Sequence, residues 1–343
     1  MDLLILDESF NELGTIEEFS SLQWTRRYYD FGDFELDCNT NYFNLIEQGT
    51  YLFRKGYELA FIDEMKYTRN SNNKYSLSIK GNFITSMLND RVIIGEKKFT
   101  GTHEEIARQI LNENFINPID VKRKVNNLSL KASRSLGEST SLEVKNDVIG
   151  DTLNDFLAEK ELSQIINYNY LTNSLEYEVW KGLDRTEEQS LNAHAVFSDN
   201  FETIADAEYS KDLTDYKNFV YVIGKDDKTI TVDKVNGRRR EMIVTSSDSV
   251  DADLKNKGNQ ELDKNKIVEV IDCTVISTEN LLYKRDYDLG DLCTVKVHSI
   301  ERMANMRITE IREVYEDGEV TILPKFGDDY ITISKFIERE VKK

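Results

Sequence analysis

Arg27-Tyr28-Tyr29-Asp30-Phe31-Gly32-Asp33-Phe34 lies near one end of the chain, and Arg285-Asp286-Tyr287-Asp288-Leu289-Gly290-Asp291-Leu292 near the other. The two share the core Tyr-Asp-apolar-Gly-Asp-apolar. A basic pair stands just before each, Arg26-Arg27 in the first copy and Lys284-Arg285 in the second. Each copy continues into apolar/polar alternation, then a hairpin-like pair of strands, then Lys80-Gly81 or Lys325-Phe326-Gly327. Gly-Asp ahead of an alternating strand is turn chemistry, because glycine supplies φ > 0 and aspartate tolerates tight geometry. The core contains no reactive group, so what it specifies is a shape. Used twice, it predicts a duplicated β-unit in which Gly32-Asp33 and Gly290-Asp291 mark equivalent turns. The competing reading is chance recurrence of a common turn.

Working outward, residues 1–98 read as all-β. Leu3–Leu6, Leu22–Tyr29, Phe34–Cys38, Tyr51–Arg54 and Leu59–Tyr67 are strand-like, and Glu12–Thr15 reads as a turn. Asn70-Ser71-Asn72-Asn73 is turn chemistry that closes a hairpin onto Tyr75–Ile79. After Phe99 the pattern changes. Thr102-His103-Glu104-Glu105 fits a capping box ahead of a helical face of Ile106, Ile110 and Leu111, with Pro118 beyond its end and His103 facing solvent. A second helix starts from an Asp151 cap with Leu153, Phe156, Leu157 and Leu162 inward, and Gln164–Tyr170 with Leu175–Trp180 makes a hairpin. From Tyr216 strands return: Phe219–Gly224, Thr229–Val235 and Arg238–Thr245 around an Asn236-Gly237 hairpin turn. A polar stretch at 247–265 has Leu254 and Leu262 at helical spacing. Ile267–Ile276, Cys293–His298, Met306–Tyr315 and Glu319–Leu323 follow, with a hairpin turn at Glu316-Asp317-Gly318. The fold class is therefore α+β, mainly β. Two small barrel-like β-domains, 1–98 and 214–343 with a helical or loop insertion near 247–265, flank an α+β domain at 99–213.

Composition excludes several classes. The chain has 343 residues, 39% hydrophobic and 31% charged, with net charge −19. Such a surface repels phosphate, so specific nucleic-acid binding is excluded in general terms, although nucleic acid can pass beside it without sticking. Cys38, Cys273 and Cys293 show no paired spacing and read as buried hydrophobes or free thiols. No apolar stretch approaches a membrane span, so stable membrane insertion is not expected. No GxGxxG, GxxxxGK[ST] or GxSxG is present. The three histidines, His103, His194 and His298, lie far apart in sequence. The 63 acidic residues make carboxylate pairs uninformative. Asp248–Asp253 lacks the glycine and closing glutamate of a calcium loop. No catalytic, metal or cofactor residue is therefore assigned, and no cofactor is expected. The run Arg238-Arg239-Arg240 admits partner docking, intersubunit pairing to carboxylates, or a plain solvated hairpin. The pairs Arg26-Arg27 and Lys284-Arg285 admit the same readings.

Trp24-Thr25-Arg26-Arg27-Tyr28-Tyr29-Asp30-Phe31-Gly32-Asp33-Phe34-Glu35-Leu36 resembles the opening of tail-hub proteins of tailed bacteriophages, the Gp37-like siphovirus tail proteins. These are related to baseplate-hub proteins and to the N-terminal part of tail-associated lysins. The resemblance continues in order through Asp215–Val222, Arg239-Arg240-Glu241, Tyr287–Asp291 and Phe326-Gly327. It implies a structural, non-enzymatic homotrimer. Each chain would contribute two tube-like barrels to a pseudo-sixfold ring that adapts a sixfold tail tube to a threefold spike or fibre. The implied partners are further copies of the chain, tail-tube or distal tail-ring proteins, and a central spike, tail-tip or fibre protein. The implied location is the tail tip or baseplate of a virion, or of a tail-like bacteriocin, assembled in host cytoplasm. The alternatives are a tail-tip cell-wall hydrolase or peptidase, and a host-receptor binding module.

Overall fold

The computed structural model describes residues 1–69, 75–275, 281–298, 302–316 and 318–327. The expected turns at Asn70–Asn73 and at Asp317, and the side chain of Cys273, lie outside the described residues. The chain folds as two compact units. One is discontinuous, Met1–Ala207 together with the stretch from Cys273 onward, and the other is Glu208–Asp272.

The first unit is mainly β and its largest sheet has eleven strands. Along its main path Glu319–Gly327 pairs with Arg302–Glu316, and then come Phe19–Arg27, Asp33–Cys38, Tyr75–Asn82 and Glu64–Arg69, each antiparallel to the last. Ile204–Asp212 and Val268–Val275, which straddle the boundary between the units, belong to the same sheet. The half of Arg302–Glu316 that precedes Ile308 pairs with Leu292–Val297, which carries Asp184–Arg185 and Val196–Ser198 parallel to it. Strand Asp33–Cys38 shows the alternation that the sequence predicts, with Phe34, Leu36 and Cys38 buried.

Four local expectations change. Glu12–Ile16 is a strand, not a turn, because it pairs antiparallel with Leu3–Leu6. Leu59–Tyr67 splits into Leu59–Phe61 and Glu64–Arg69, which belong to different sheets. The capping box is present: the Thr102 hydroxyl accepts from the Glu105 amide, and the Glu105 carboxylate accepts from the Thr102 amide. His103 faces the core and not solvent. Its ring stacks on Phe156 with centroids 4.5 Å apart, and burial lowers its pKa below the usual imidazole value. Helix Ile149–Ala158 buries Leu153, Phe156 and Leu157 as expected. Its N-cap is Val148 without a side-chain bond, while the Asp151 carboxylate accepts from the Asn89 side chain. One core cluster runs from Leu6, Phe53 and Leu59 through Ile106, Ile110 and Leu153 to Tyr177, so residues on both sides of position 98 share it.

In the second unit Phe219–Ile223 lies between Thr229–Asp233, antiparallel, and Glu241–Thr245, parallel. Asn236-Gly237 therefore does not close a hairpin between the last two, although Gly237 has φ +87°. Buried Asn218 redirects the chain: its side chain donates to the Arg238 carbonyl (3.0 Å) and accepts from the Arg240 amide (2.7 Å). That clasp holds Glu241–Thr245 on the far side of Phe219–Ile223. Helix Asp251–Lys264 covers the sheet, with Leu254 and Leu262 packed against Val220, Val222 and Val232.

Candidate functional site

The two motif copies meet in the first unit. Phe19–Arg27 ends at the basic pair, and alternation sends the two side chains to different partners. The Arg26 guanidinium donates to Glu58 (2.7 Å), to Asp288 of the second copy (2.6 Å) and to Tyr283 just before that copy (3.0 Å). Arg27 donates to Asp33 and, at 3.0 Å, to Glu310. Tyr28 lies against Gly290, where an added Cβ would stand 2.4 Å from the Tyr28 ring. The Tyr28 hydroxyl donates to the Glu161 carbonyl (2.9 Å) and accepts from the Gly182 amide (3.1 Å). Burial pushes that phenol up to about 12, against the opposing pull of Arg307. Arg307 in turn donates to the Gly290 carbonyl and to Glu161 (2.8 Å).

The copies are joined, but their glycines do different work. Gly290 has φ +81°, the left-handed geometry that glycine supplies. Gly32 is absent from that region of backbone space. It is small because a Cβ there would sit 2.3 Å from the Phe83 ring and 2.5 Å from the Thr25 carbonyl. The aspartates differ too. Asp33 opens a strand, half-exposed, on Arg27. Asp291 is buried and accepts from the amides of Leu183 (2.8 Å) and Asp288 (3.0 Å) and from Arg185 (2.7 Å). Downstream, Gly81 pairs with Phe34 of the strand that follows its own motif, whereas Phe326 pairs with Ile308 and not with Leu292–Val297. Lys284-Arg285 lies in a turn before the motif, not at a strand end, and Arg285 pairs with Asp286 at 2.7 Å.

Beneath the junction lies a buried polar network that the sequence reading missed. Arg54 and Glu313 form an ion pair of 2.8 Å with almost no exposure of either side chain. Glu313 also accepts from Tyr315 (2.7 Å) and Tyr283 (3.0 Å). The Arg54 guanidinium lies 3.3 Å from the centroid of the Tyr57 ring, and the Lys284 ammonium 3.1 Å from the same centroid. Two cations that close to one centroid must occupy opposite faces, so Tyr57 is sandwiched between them. Nε and Nη1 of Arg54 have no hydrogen-bond partner among the described residues, so aromatic faces stand where acceptors would otherwise be. Burial alone would raise the Glu58 carboxyl, but Arg26 beside it holds it below the usual carboxylate range. Burial and then Arg26 lower the Lys284 ammonium to about 8. Arg54 and Glu313 gave no sequence signal because their partners come from distant strands. Every group here is engaged in charge pairing or ring packing, an arrangement that can hold the junction rigid.

Among the described residues, Ser198, Asp199 and His298 form the closest approach to a catalytic set. The Ser198 hydroxyl (3.2 Å) and the Asp199 carboxylate (2.8 Å) both meet Nδ1 of His298. A relay needs the acid on one ring nitrogen and the nucleophile on the other, so this geometry cannot pass a proton from serine through histidine. Buried Ser198 also caps the turn at Asn200. A cleft bordered by Arg26, Asp30, Gly32, Thr85, Gln164 and Trp180 has neither histidine nor cysteine in its wall. Among the described residues no cluster of three metal-ligating side chains occurs.

In the second unit the arginine run is folded back on its own sheet. Arg239 lies 3.6 Å from the Phe219 ring centroid, donates to the Tyr221 hydroxyl (3.0 Å) and pairs with Glu241 (2.6 Å). Arg240 donates to the Leu213 carbonyl, and the Arg238 side chain is exposed.

The fold is similar to three solved structures of tail proteins. A tail protein of Neisseria meningitidis MC58 matches with TM-score 0.62 and 12% identity, over 96% of this chain and 97% of that one. Prophage tail protein gp18 of Listeria monocytogenes EGD-e matches with TM-score 0.61 and 13% identity, over 100% and 99%. The 43 kDa tail protein of prophage MuSo2 of Shewanella oneidensis matches with TM-score 0.62 and 11% identity, over 95% and 98%. No curated protein matches the sequence. The family model of Siphovirus ReqiPepy6 Gp37-like proteins matches residues 2–328, nearly the whole length over which the two motifs and the strands between them are laid out. The chain belongs to the Siphovirus ReqiPepy6 Gp37-like protein family.

Proposed function

We propose that the protein is a structural hub of a phage tail or baseplate, acting as a homotrimer. The strand-rich regions 1–98 and 214–343 would each contribute a tube-like barrel, so that three chains make a pseudo-sixfold ring, with 99–213 bracing it or meeting the next component. The ring joins a sixfold tail tube or distal tail ring on one side to a threefold spike, tail-tip or fibre protein on the other. Its place is the tail tip of a virion or of a tail-like bacteriocin, after assembly in host cytoplasm. Part of the −19 charge lines the lumen, so that DNA slides past without adsorbing.

The observation that carries this reading is end-to-end likeness of fold to three tail proteins, each covered almost completely. A motif junction built from ion pairs and packed rings fits a scaffold held rigid. Light scattering of the purified chain should give a trimer, and cryo-EM class averages of assembled particles should show three- or sixfold symmetry. A monomer at assembly-like concentration overturns the proposal. A cleared zone in a zymogram on host cell wall would favour the hydrolase alternative, and saturable binding to cell-surface glycan the receptor alternative.

A further inference from the structure

Two lysines without a carboxylate partner among the described residues stand close together above the sandwiched Tyr57, in a chain of net charge −19. Lys55, Gly56, Lys284 and Arg285 are all exposed there, and the Lys284 ammonium lies 3.5 Å from the Gly56 carbonyl, next in sequence to Lys55. Neither Lys55 nor Lys284 has a carboxylate within ion-pair distance among the described residues. The acids nearest Lys284 are already committed: Glu58 and Asp288 to Arg26, and Glu313 to Arg54. Its backbone has φ +65°, a conformation that costs a non-glycine residue energy and persists only where surroundings hold it. The residue is exposed as a whole, while its ammonium is partly desolvated against the Tyr57 ring and feels the nearby cation Arg26. An ammonium in that setting gains more from an incoming carboxylate than a freely solvated one does.

We propose that Lys55 and Lys284 form the cationic half of an interface with a second copy of this chain, whose acidic surface supplies the opposing carboxylates. The second copy is favoured by charge complementarity: the chain carries 63 acidic against 44 basic residues, and this patch is a local reversal of that excess. A patch that differs from the surface it meets makes a head-to-tail contact, the kind that closes into a ring. The inference deepens the self-assembly reading and rests on it.

The test is sedimentation velocity of the full chain at low and high salt, with wild type, the double variant Lys55→Glu/Lys284→Glu, and Lys98→Glu as a surface control elsewhere. Wild type should associate more weakly as salt rises, and the double variant should dissociate at least about tenfold more readily with Lys98→Glu unchanged. If wild type associates and the double variant matches it, this interface is wrong and the ring reading stands. If wild type stays monomeric at every salt, both fall. Circular dichroism checks folding; if the double variant is unfolded, Lys284→Gln decides by the same tenfold criterion.

Discussion

At the residue scale, the repeated motif shows how identical letters acquire different duties. Gly290 needs left-handed backbone and has no room beside Tyr28, so Gly290→Ala should cost about 1–2 kcal/mol for conformation and about 1–3 kcal/mol for overpacking. Urea unfolding checks this, and a loss below about 1 kcal/mol would remove the left-handed requirement. Gly32→Ala should cost only the steric part. Lys284 gives a pH signature with a definite sign. Its folded value of about 8 lies below the ordinary 10.5, so between those limits the unfolded chain holds a proton that the folded chain has released. Stability should therefore rise with pH across that window, and Lys284→Met should flatten the rise in thermal scans. These duties were hidden in the sequence because both glycines sit before an aspartate and a strand. What separates them is Phe83 on one side and Tyr28 on the other, contacts made across the fold.

At the element scale, strand Arg302–Glu316 is the organiser. It pairs with Phe19–Arg27 on one side and, along its length, with Leu292–Val297 and Glu319–Gly327 on the other. Its Glu313 is wholly buried against Arg54, and Glu313→Gln leaves that guanidinium without its counter-charge. The expected loss is about 3–5 kcal/mol, read from urea or thermal unfolding, whereas a near-neutral result would mean that the aromatic rings alone suffice for Arg54. Helix Asp251–Lys264 offers a contest between two effects. Gly258→Ala gains about 1 kcal/mol of helix propensity but places a Cβ 2.7 Å from Val232 and 2.9 Å from Val222. Overpacking of about 1–3 kcal/mol should win, giving a net loss in thermal scans. Local elements were largely legible. The Thr102 capping box, the alternation of Asp33–Cys38 and the 163–180 hairpin all rest on neighbours in sequence. The placement of Glu241–Thr245 was not, because buried Asn218, a residue with no pattern to announce it, overrides the turn preference of Asn236-Gly237. Nor was the inward turn of His103, which depends on Phe156 from another helix.

At the scale of the whole molecule, the sequence carried the predominance of strands and the family likeness, while the division into units followed contacts that periodicity does not record. Alternation says which face of a strand is buried but not which strand lies beside it. Arg26 and Asp288, 262 positions apart, are bonded, and neither residue type nor spacing could have paired them. A fragment limited to residues 1–207 should therefore lack the native core around Tyr28 and Arg54, and hydrogen exchange should show Phe19–Arg27 unprotected; a protected fragment would mean that the N-terminal strands close without Arg302–Glu316. The same weave has a consequence for biogenesis. A ribosome releases Phe19–Arg27 long before its neighbour Arg302–Glu316 exists, so a nascent chain carries an unpaired strand edge through most of its own translation. Such an edge invites mispairing between chains made side by side on one message. Yield in cells should accordingly depend on translation speed and on chaperones that shield that edge, even where the finished protein is stable.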